Sequence, residues 1–364
     1  MTTSRFCRER RRHRKTGLTG GIPGRRLLAL TALVGLLALV LGTAACGDGG
    51  APADPAEQTL RIAFVPKGTN MTFWLTIHAG AIKAQRDLAE RGTSVEVIWK
   101  GPLREDDREQ QIQVVEGFTS QGVDGIVLAP LDARALVRPV EEAKRLGIPT
   151  VIVDSGLDSD DIGSFVATDN FKGGQMAADE MGHLLDGKGR VVLLRYMEGS
   201  ASTTAREDGF LSRLEEAWPD FELVSADQHA GATRDTGKRA AENILNRFGG
   251  ELDGIFAVNE SSTTGMLLAL QDSKLAGKVK FLGFDSNPAF VEAVRAGEMH
   301  GFVLQNPFGM AALAVETMVD HLLGKEVPPR IDTGVVVVTA ENLDSPTVQE
   351  LLDPPLDLYL PSGE

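Results

Sequence analysis

The sequence predicts an α/β protein made of two doubly wound parallel-sheet lobes. Three observations predict it. Short apolar runs are rich in Val and Ile, longer amphipathic segments separate them, and the runs are too many for one compact sheet of this size. The run 62–65 precedes a helical pattern over 73–91, 95–98 precedes 106–121, 126–128 precedes 134–146, and 150–153 follows. The alternation restarts with a helix over 171–185, a strand over 190–195, a helix over 203–218 and a strand over 222–226. It continues with helices over 234–247, 262–272, 288–296 and 308–323, interleaved with strands over 254–258, 279–284 and 301–304. Strands apolar on both faces belong to parallel sheets covered on both sides, and about three hundred residues suffice for two ordinary cores. Two lobes are the economical reading.

An internal echo supports duplication. Asp124-Gly125-Ile126-Val127-Leu128-Ala129-Pro130 recurs as Asp253-Gly254-Ile255-Phe256-Ala257-Val258-Asn259. Both copies follow an amphipathic helix and end where the chain turns out of the sheet. Asp-Gly is also ordinary turn chemistry before a buried strand.

The first 46 residues bear on location. A basic opening runs into an uncharged apolar segment, residues 27–45, which ends at Thr43-Ala44-Ala45-Cys46. Positive, apolar and small-residue regions in that order form an export signal. The cysteine placed after them resembles a bacterial lipoprotein signal, with Cys46 as the lipid-bearing first residue. Thr43 stands where Leu is usual in such motifs. Nineteen uncharged residues would also suffice for one membrane span. Arg25-Arg26 is a poor match to a twin-arginine signal. Both readings put the bulk of the chain outside the cytoplasm, tethered to the membrane.

Composition agrees. Of 37 Lys/Arg and 51 Asp/Glu, the first 45 residues hold nine and one, leaving 28 and 50, a formal charge of −22. Such a surface repels nucleic acid, which is bound by clustered cations, and suits a soluble monomer. Cys7 and Cys46 are the only cysteines, so with Cys46 lipidated the exported part can form no disulfide.

In open parallel sheets ligands bind beyond the carboxyl ends of the strands. Those ends here carry Asp154, Asn259, Asp285 and Gln305, with Lys67 just past the first strand. Each Asp or Asn alone also reads as a helix cap, but capping does not call for Gln305. Phe73 and Trp74 are adjacent at the start of the first helix. Two adjacent rings cannot both face one core, so at least one faces a cleft or solvent.

From about Leu60 to Val338 the chain resembles the type I periplasmic solute-binding proteins of ABC transporters, in the ribose-binding-protein-like branch. The resemblance rests on Phe73-Trp74, on Pro149-Thr150-Val151-Ile152-Val153-Asp154, and on Ala167-Thr168-Asp169-Asn170-Phe171-Lys172-Gly173-Gly174. Ala205-Arg206-Glu207-Asp208-Gly209-Phe210, Ile255-Phe256-Ala257-Val258-Asn259, Gly283-Phe284-Asp285 and Val303-Leu304-Gln305-Asn306-Pro307 follow in the family's order and spacing. It implies two lobes joined by three hinge crossings, near Thr168-Asp169, Gln305-Asn306 and Asp332-Thr333. The N-terminal lobe would hold residues 59–168 and 306–332, and the C-terminal lobe 169–305 and 333–353. A signal over 1–45 and a tether over 46–58 would precede them, and a tail over 354–364 would follow.

The resemblance further implies no cofactor and a sugar or polyol trapped between the lobes. Phe73 and Trp74 would stack on it, while Asp154, Thr168, Asn170, Arg206, Asn259, Asp285 and Gln305 would bond its hydroxyls. Met71 and Lys67 are further candidates, although Lys67 reads first as a solvated lysine. The chain departs from the family pattern at Met71, where relatives often carry Asn, and at Ser155, where Arg often stands. No aromatic occupies the region of Ala232-Thr233, and a familiar pentose is therefore not the expected ligand.

Other chemistry finds little support. Gly182 to Lys188 imitates a phosphate loop, but no Ser or Thr follows Lys188, and the stretch follows a helix instead of preceding one. No Gly-x-Ser-x-Gly elbow and no close His/Cys/Asp set suggest nucleophilic or metal chemistry, so no enzyme is expected. Asp158-Ser159-Asp160-Asp161 lacks the spacing of a calcium loop. A sugar-responsive repressor would need a basic DNA-binding helix pair before the sensor, where this chain has an apolar segment. Uptake through an ABC permease is the leading expectation. A ligand receptor for a sensor kinase or chemoreceptor is the alternative.

Overall fold

The computed structural model describes residues 59–360. The signal, the tether and Cys46 lie outside the described residues. Twelve strands and ten α-helices are found among them. The first half runs β1 (Leu60–Val65), α1 (Thr72–Glu90), β2 (Val95–Trp99), α2 (Arg108–Gln121), β3 (Gly125–Leu128), α3 (Val137–Arg145), β4 (Thr150–Val153) and β5 (Ser164–Ala167). Then come α4 (Asn170–Leu184), β6 (Gly189–Leu194), α5 (Ala201–Ala217), β7 (Phe221–Ser225), α6 (Arg234–Phe248), β8 (Gly254–Ala257), α7 (Glu260–Asp272), β9 (Lys280–Phe284), α8 (Pro288–Arg295) and β10 (Gly301–Gln305). The chain closes with α9 (Pro307–Leu322), β11 (Arg330–Asp332), β12 (Val335–Thr339) and α10 (Pro346–Leu352).

The strands form two six-stranded sheets, ordered β11-β5-β4-β3-β1-β2 and β12-β10-β9-β8-β6-β7. All pairings are parallel except β10 with β12. Alternate residues of each strand serve opposite cores, as the pleat requires. Ile62 and Phe64 pack against α1 and α9, whereas Ala63 and Val65 pack against α2 and α3. In the second sheet Val192 and Leu194 face α6 to α8, and Val191 and Leu193 face α4 and α5. Burial on both faces explains why the sequence shows apolar runs instead of alternation.

The Asp-Gly-Ile echo falls on β3 and β8, which hold the same place in the two sheets. Asp124 Oδ2 accepts from Arg61 N at 2.7 Å, and Asp253 Oδ2 accepts from Arg190 N at 2.7 Å. Each Asp therefore fixes its strand against the amide of the neighbouring one.

The chain crosses between the sheets after β5, after β10 and after β11. The crossings lie side by side. Thr333 N donates to Ala167 O at 3.2 Å, and Asp169 N donates to Asp332 Oδ1 at 3.2 Å. β5, β11, β12 and α10 lie outside the strand and helix runs read from the sequence. A further contact joins the lobes beyond α10. Residues 356–360 pack on the first lobe, where Arg86 donates to Leu358 O at 2.5 Å and Tyr359 lies 5.6 Å from Phe308. The expected tail is thus, over its described part, a strap from the second lobe to the first.

Candidate functional site

The carboxyl ends of both sheets face one cleft. Fourteen residues line it, from Lys67, Met71, Phe73 and Trp74 to Asp285 and Gln305, around about 340 Å³ of space free of protein atoms.

The two lobes offer matched carboxylates. Asp154 follows β4 and Asp285 follows β9, and both adopt left-handed backbone, with φ 63° and 69°. Non-glycine residues reach this region only when their surroundings hold them there. Here each amide still bonds the adjoining strand, Asp154 N to Val166 O at 3.1 Å and Asp285 N to Val303 O at 2.8 Å. The chain stays in the ladder while the carboxylate turns out over the sheet edge. Asp154 then meets Lys67, whose Nζ lies 3.0 Å from Oδ2. Asp285 accepts from Gln305 Nε2 at 2.6 Å and from the Glu260 amide at 2.9 Å.

Arg206 rises from α5 and is 2% exposed. Its Nε donates to Asn170 Oδ1 at 2.8 Å, one terminal nitrogen donates to Val258 O at 2.9 Å, and the guanidinium stacks 3.7 Å above Phe284. The nearest Asp285 oxygen is 3.9 Å away, beyond direct hydrogen bonding. Burial lowers the Arg206 pKa, and the carboxylates of Asp285 and Asp154 oppose that. Burial also raises Asp285, offset by Arg206 and Gln305.

Phe73 and Trp74 both line the cleft, ring edge to ring face at 5.0 Å and 89°. Trp74 also belongs to the first lobe's core, so its ring serves both surfaces. Its Nε1 donates to Glu105 Oε1 at 2.6 Å, and the other Glu105 oxygen accepts from the Tyr196 hydroxyl. Burial pushes the Glu105 carboxyl up against the pull of Lys67 and these two donors. The Tyr196 hydroxyl is pushed well above its ordinary value by burial and by the Glu105 charge.

Direct contacts close the cleft across the lobes. Besides Glu105 with Tyr196, Lys67 Nζ donates to Ser202 Oγ at 3.1 Å, Ser202 N to Ser155 Oγ at 3.1 Å, and Phe73 N to Glu260 Oε2 at 3.2 Å. Glu260 opens α7, and burial raises its pKa to about 7.

The sequence-derived residues thus divide. Phe73, Trp74, Asp154, Arg206, Asn259, Asp285 and Gln305 come together at the cleft, with Lys67 and Met71. Asn259 also caps α7, its Oδ1 accepting from Ser262 N, so the capping and lining readings hold together. Two others stand apart from the cleft lining. Thr168 lies in the crossing, 3.4 Å from the Thr333 hydroxyl and 3.3 Å from Gly334 O, and does not line the cleft. Asn170 stands one layer behind, orienting Arg206 and donating to Asp154 O at 3.4 Å. One expectation is corrected: at 4% exposure and paired with Asp154, Lys67 is not a solvated lysine.

Glu105, Tyr196, Ser202, Thr203 and Glu260 also line the cleft and escaped the sequence reading. Tyr196 and Glu260 were open to the rule that found Asn259, since each lies just past a strand. Glu105 sits in the charge run Arg104-Glu105-Asp106-Asp107-Arg108, where nothing local marks the carboxylate that turns inward. Among the described residues no His/Cys/Asp/Glu group could hold a metal ion.

Residues 62–326 match the periplasmic binding protein domain family. The chain belongs to the periplasmic binding protein family. It is a binding protein and not an enzyme. A xylitol-binding protein of Mycolicibacterium smegmatis is 27% identical over 321 residues, 86% of this chain and 88% of that protein. The D-allose-binding periplasmic protein of Escherichia coli is 31% identical over 278 residues, 73% of this chain and 86% of that protein. A carbohydrate transporter solute-binding protein of Agrobacterium radiobacter, solved with D-arabinose, superposes with a TM-score of 0.76 at 30% identity. The match covers 81% of this chain and 99% of that one. An ABC transporter solute-binding protein of Agrobacterium vitis, solved with D-fucose, gives 0.76 at 32%, covering 80% and 100%. The two parallel-sheet lobes match these solved structures.

Proposed function

We propose that the protein is the extracytoplasmic solute-binding component of an ABC importer and captures a small sugar or polyol between its lobes. One observation carries this reading. Asp154, Arg206, Asn259, Asp285 and Gln305 converge with two aromatic rings on a single cleft assembled from both lobes. Carboxylates accept from adjacent hydroxyls and Arg206 donates in a fixed fork, and such charge-assisted bonds are about twice as strong as neutral ones. The rings cover the C–H face of a pyranose or furanose. The 3.9 Å between Arg206 and Asp285 leaves a position where one hydroxyl bonds both groups. Gln305 Oε1, buried and without a partner in the protein, is a ready acceptor for another.

Capture works by closure. A ligand touching both lobes favours the closed arrangement by its differential affinity, and a ligand that binds both arrangements equally shifts nothing. Relatives named for xylitol, ribose and allose binding support a hydroxyl-rich ligand and uptake in preference to signalling. Serine at 155 and the Lys67, Glu105 and Tyr196 cluster support a ligand other than a familiar pentose. A thermal-shift screen of residues 54–364 with D-ribose, D-allose, D-arabinose, D-fucose, xylitol and further polyols tests the proposal. A ligand at 100 times its dissociation constant adds about 2.7 kcal/mol. Asp285→Ala and Arg206→Ala keep the fold and lose that response, whereas a full response in both variants removes these residues from the site.

The protein reaches the membrane through lipid on Cys46. Cys46→Ser in the full chain moves it from the membrane fraction to the soluble fraction, and unchanged fractionation excludes the anchor.

A further inference from the structure

A second cavity lies against the cleft on its hinge side, with about 810 Å³ free of protein atoms. Phe73, Asp285 and Gln305 line both spaces and so form the partition between them. Beyond that partition the surroundings change character. The cleft is walled mainly by charged and polar side chains beside Met71, Phe73 and Trp74, whereas the second cavity is more apolar, with Val291, Leu304, Pro307, Leu351, Leu352 and Leu356 beside Thr72, Thr76, Ser286, Asn287 and Asp353. Leu351, Leu352 and Leu356 come from α10 and the strap that follows it, so the C-terminal segment roofs this cavity.

On this basis, and resting on the sugar reading above, we infer that the cavity is a second subsite, taking an apolar substituent of the bound sugar. The ligand is then a glycoside or similarly substituted polyol, not a bare monosaccharide. Its hydroxyl-bearing ring lies in the cleft, and its alkyl or aryl group passes between Phe73 and Gln305 into the apolar space. Size supports this division. The closed cleft leaves little free space, and the adjoining cavity is the larger of the two. Polarity supports it too. The leucine, valine and proline side of the second cavity gains from covering by an apolar group, while the cleft concentrates the charged groups that bond hydroxyls. The partition carries the one buried Gln305 acceptor without a partner in the protein, which suits a hydroxyl next to the substituted carbon.

Isothermal titration of the full soluble chain with matched pairs tests the inference. Each pair is one free sugar from the screen above and its methyl, hexyl and phenyl glycosides. The phenyl or hexyl form of at least one sugar binds tenfold or more tighter than the free sugar, and the methyl form gains little. Val291→Trp and Leu356→Trp fill the annex from α8 and from the strap, away from the cleft's polar groups. Val291→Trp leaves free-sugar affinity within about twofold, and both variants abolish the glycoside's advantage. Leu356→Trp lies on the periphery and keeps the test usable where Val291→Trp fails to fold. Binding of free sugars with no gain from any glycoside overturns the subsite while leaving the sugar reading intact. A gain that survives both filled variants also overturns it. Binding by neither free nor substituted sugars sinks the sugar reading, and the subsite with it.

Discussion

Glu260 is the ionisable residue whose state the cleft controls most directly. Its carboxylate accepts one amide bond from Phe73 across the lobes, yet burial raises its pKa from an ordinary 4.5 to about 7. The native state therefore holds this proton more tightly than the unfolded chain. Its contribution to stability is full below about pH 4.5 and is lost as pH rises through about 7. The shift corresponds to roughly 3 kcal/mol at most. Glu260→Gln, which cannot ionise, matches the native protein at pH 4 and exceeds it at pH 8 by on the order of 2–3 kcal/mol in urea unfolding. A difference independent of pH excludes Glu260 as the titrating group. Lys67 works in the opposite sense. Replacing it with Met leaves the buried Asp154 without its direct ion-pair partner, at a cost of about 3–5 kcal/mol. The melting temperature of Lys67→Met falls by several degrees near neutral pH, and a melting curve like that of the native protein removes the ion pair from the stability argument.

At the scale of elements, the site depends on how closely helices approach each other. α4 and α5 meet through two glycines. A Cβ on Gly174 would sit 2.0 Å from the Arg206 carbonyl oxygen, and one on Gly209 would sit 2.0 Å from the Phe171 carbonyl oxygen. Neither backbone can yield without moving its helix. The same contact that packs α4 on α5 sets the height of Arg206 over the cleft, and Asn170 at the start of α4 fixes its direction. Gly174→Ala costs about 1–3 kcal/mol of stability through overpacking. It also weakens ligand binding at least tenfold by lifting Arg206, which calorimetry on the folded variant measures. Loss of stability with unchanged affinity would separate the helix contact from the site. Gly80 makes the equivalent approach to the Phe308 carbonyl between α1 and α9 in the first lobe. These glycines stand inside helical patterns, where the sequence shows only a weak helix former and gives no sign of the partner.

For the whole molecule, the closure proposed above turns on three crossings and one strap. α10 belongs to the second lobe's core through Val348, while Leu358 and Tyr359 hold to Arg86 and Phe308 on the first. Opening the lobes either strips these contacts or bends residues 353–355. The strap therefore biases the protein toward the closed arrangement by the free energy of its docking. Ending the chain after Asp353 increases the radius of gyration in solution scattering and speeds ligand release several-fold. Scattering and release that match the full chain would make the strap a passive cover.

The sequence by itself determined the layer architecture and the strand ends that carry polar groups, and seven of the nine residues it put forward for the ligand fall on the cleft lining. These features are encoded locally: a strand buried on both faces must be apolar throughout, and residues just past it must leave the sheet. The tertiary structure alone decided the rest. It buried Lys67 by bringing Asp154 and Ser202 to it, turned Glu105 out of a charged run toward Trp74 and Tyr196, and withdrew Thr168 and Asn170 behind the cleft wall. The annex and the strap belong to the same class, since their walls come from segments far apart in the chain. The physical reason is that burial and pairing of a charge depend on which groups arrive from elsewhere, and no local pattern records that.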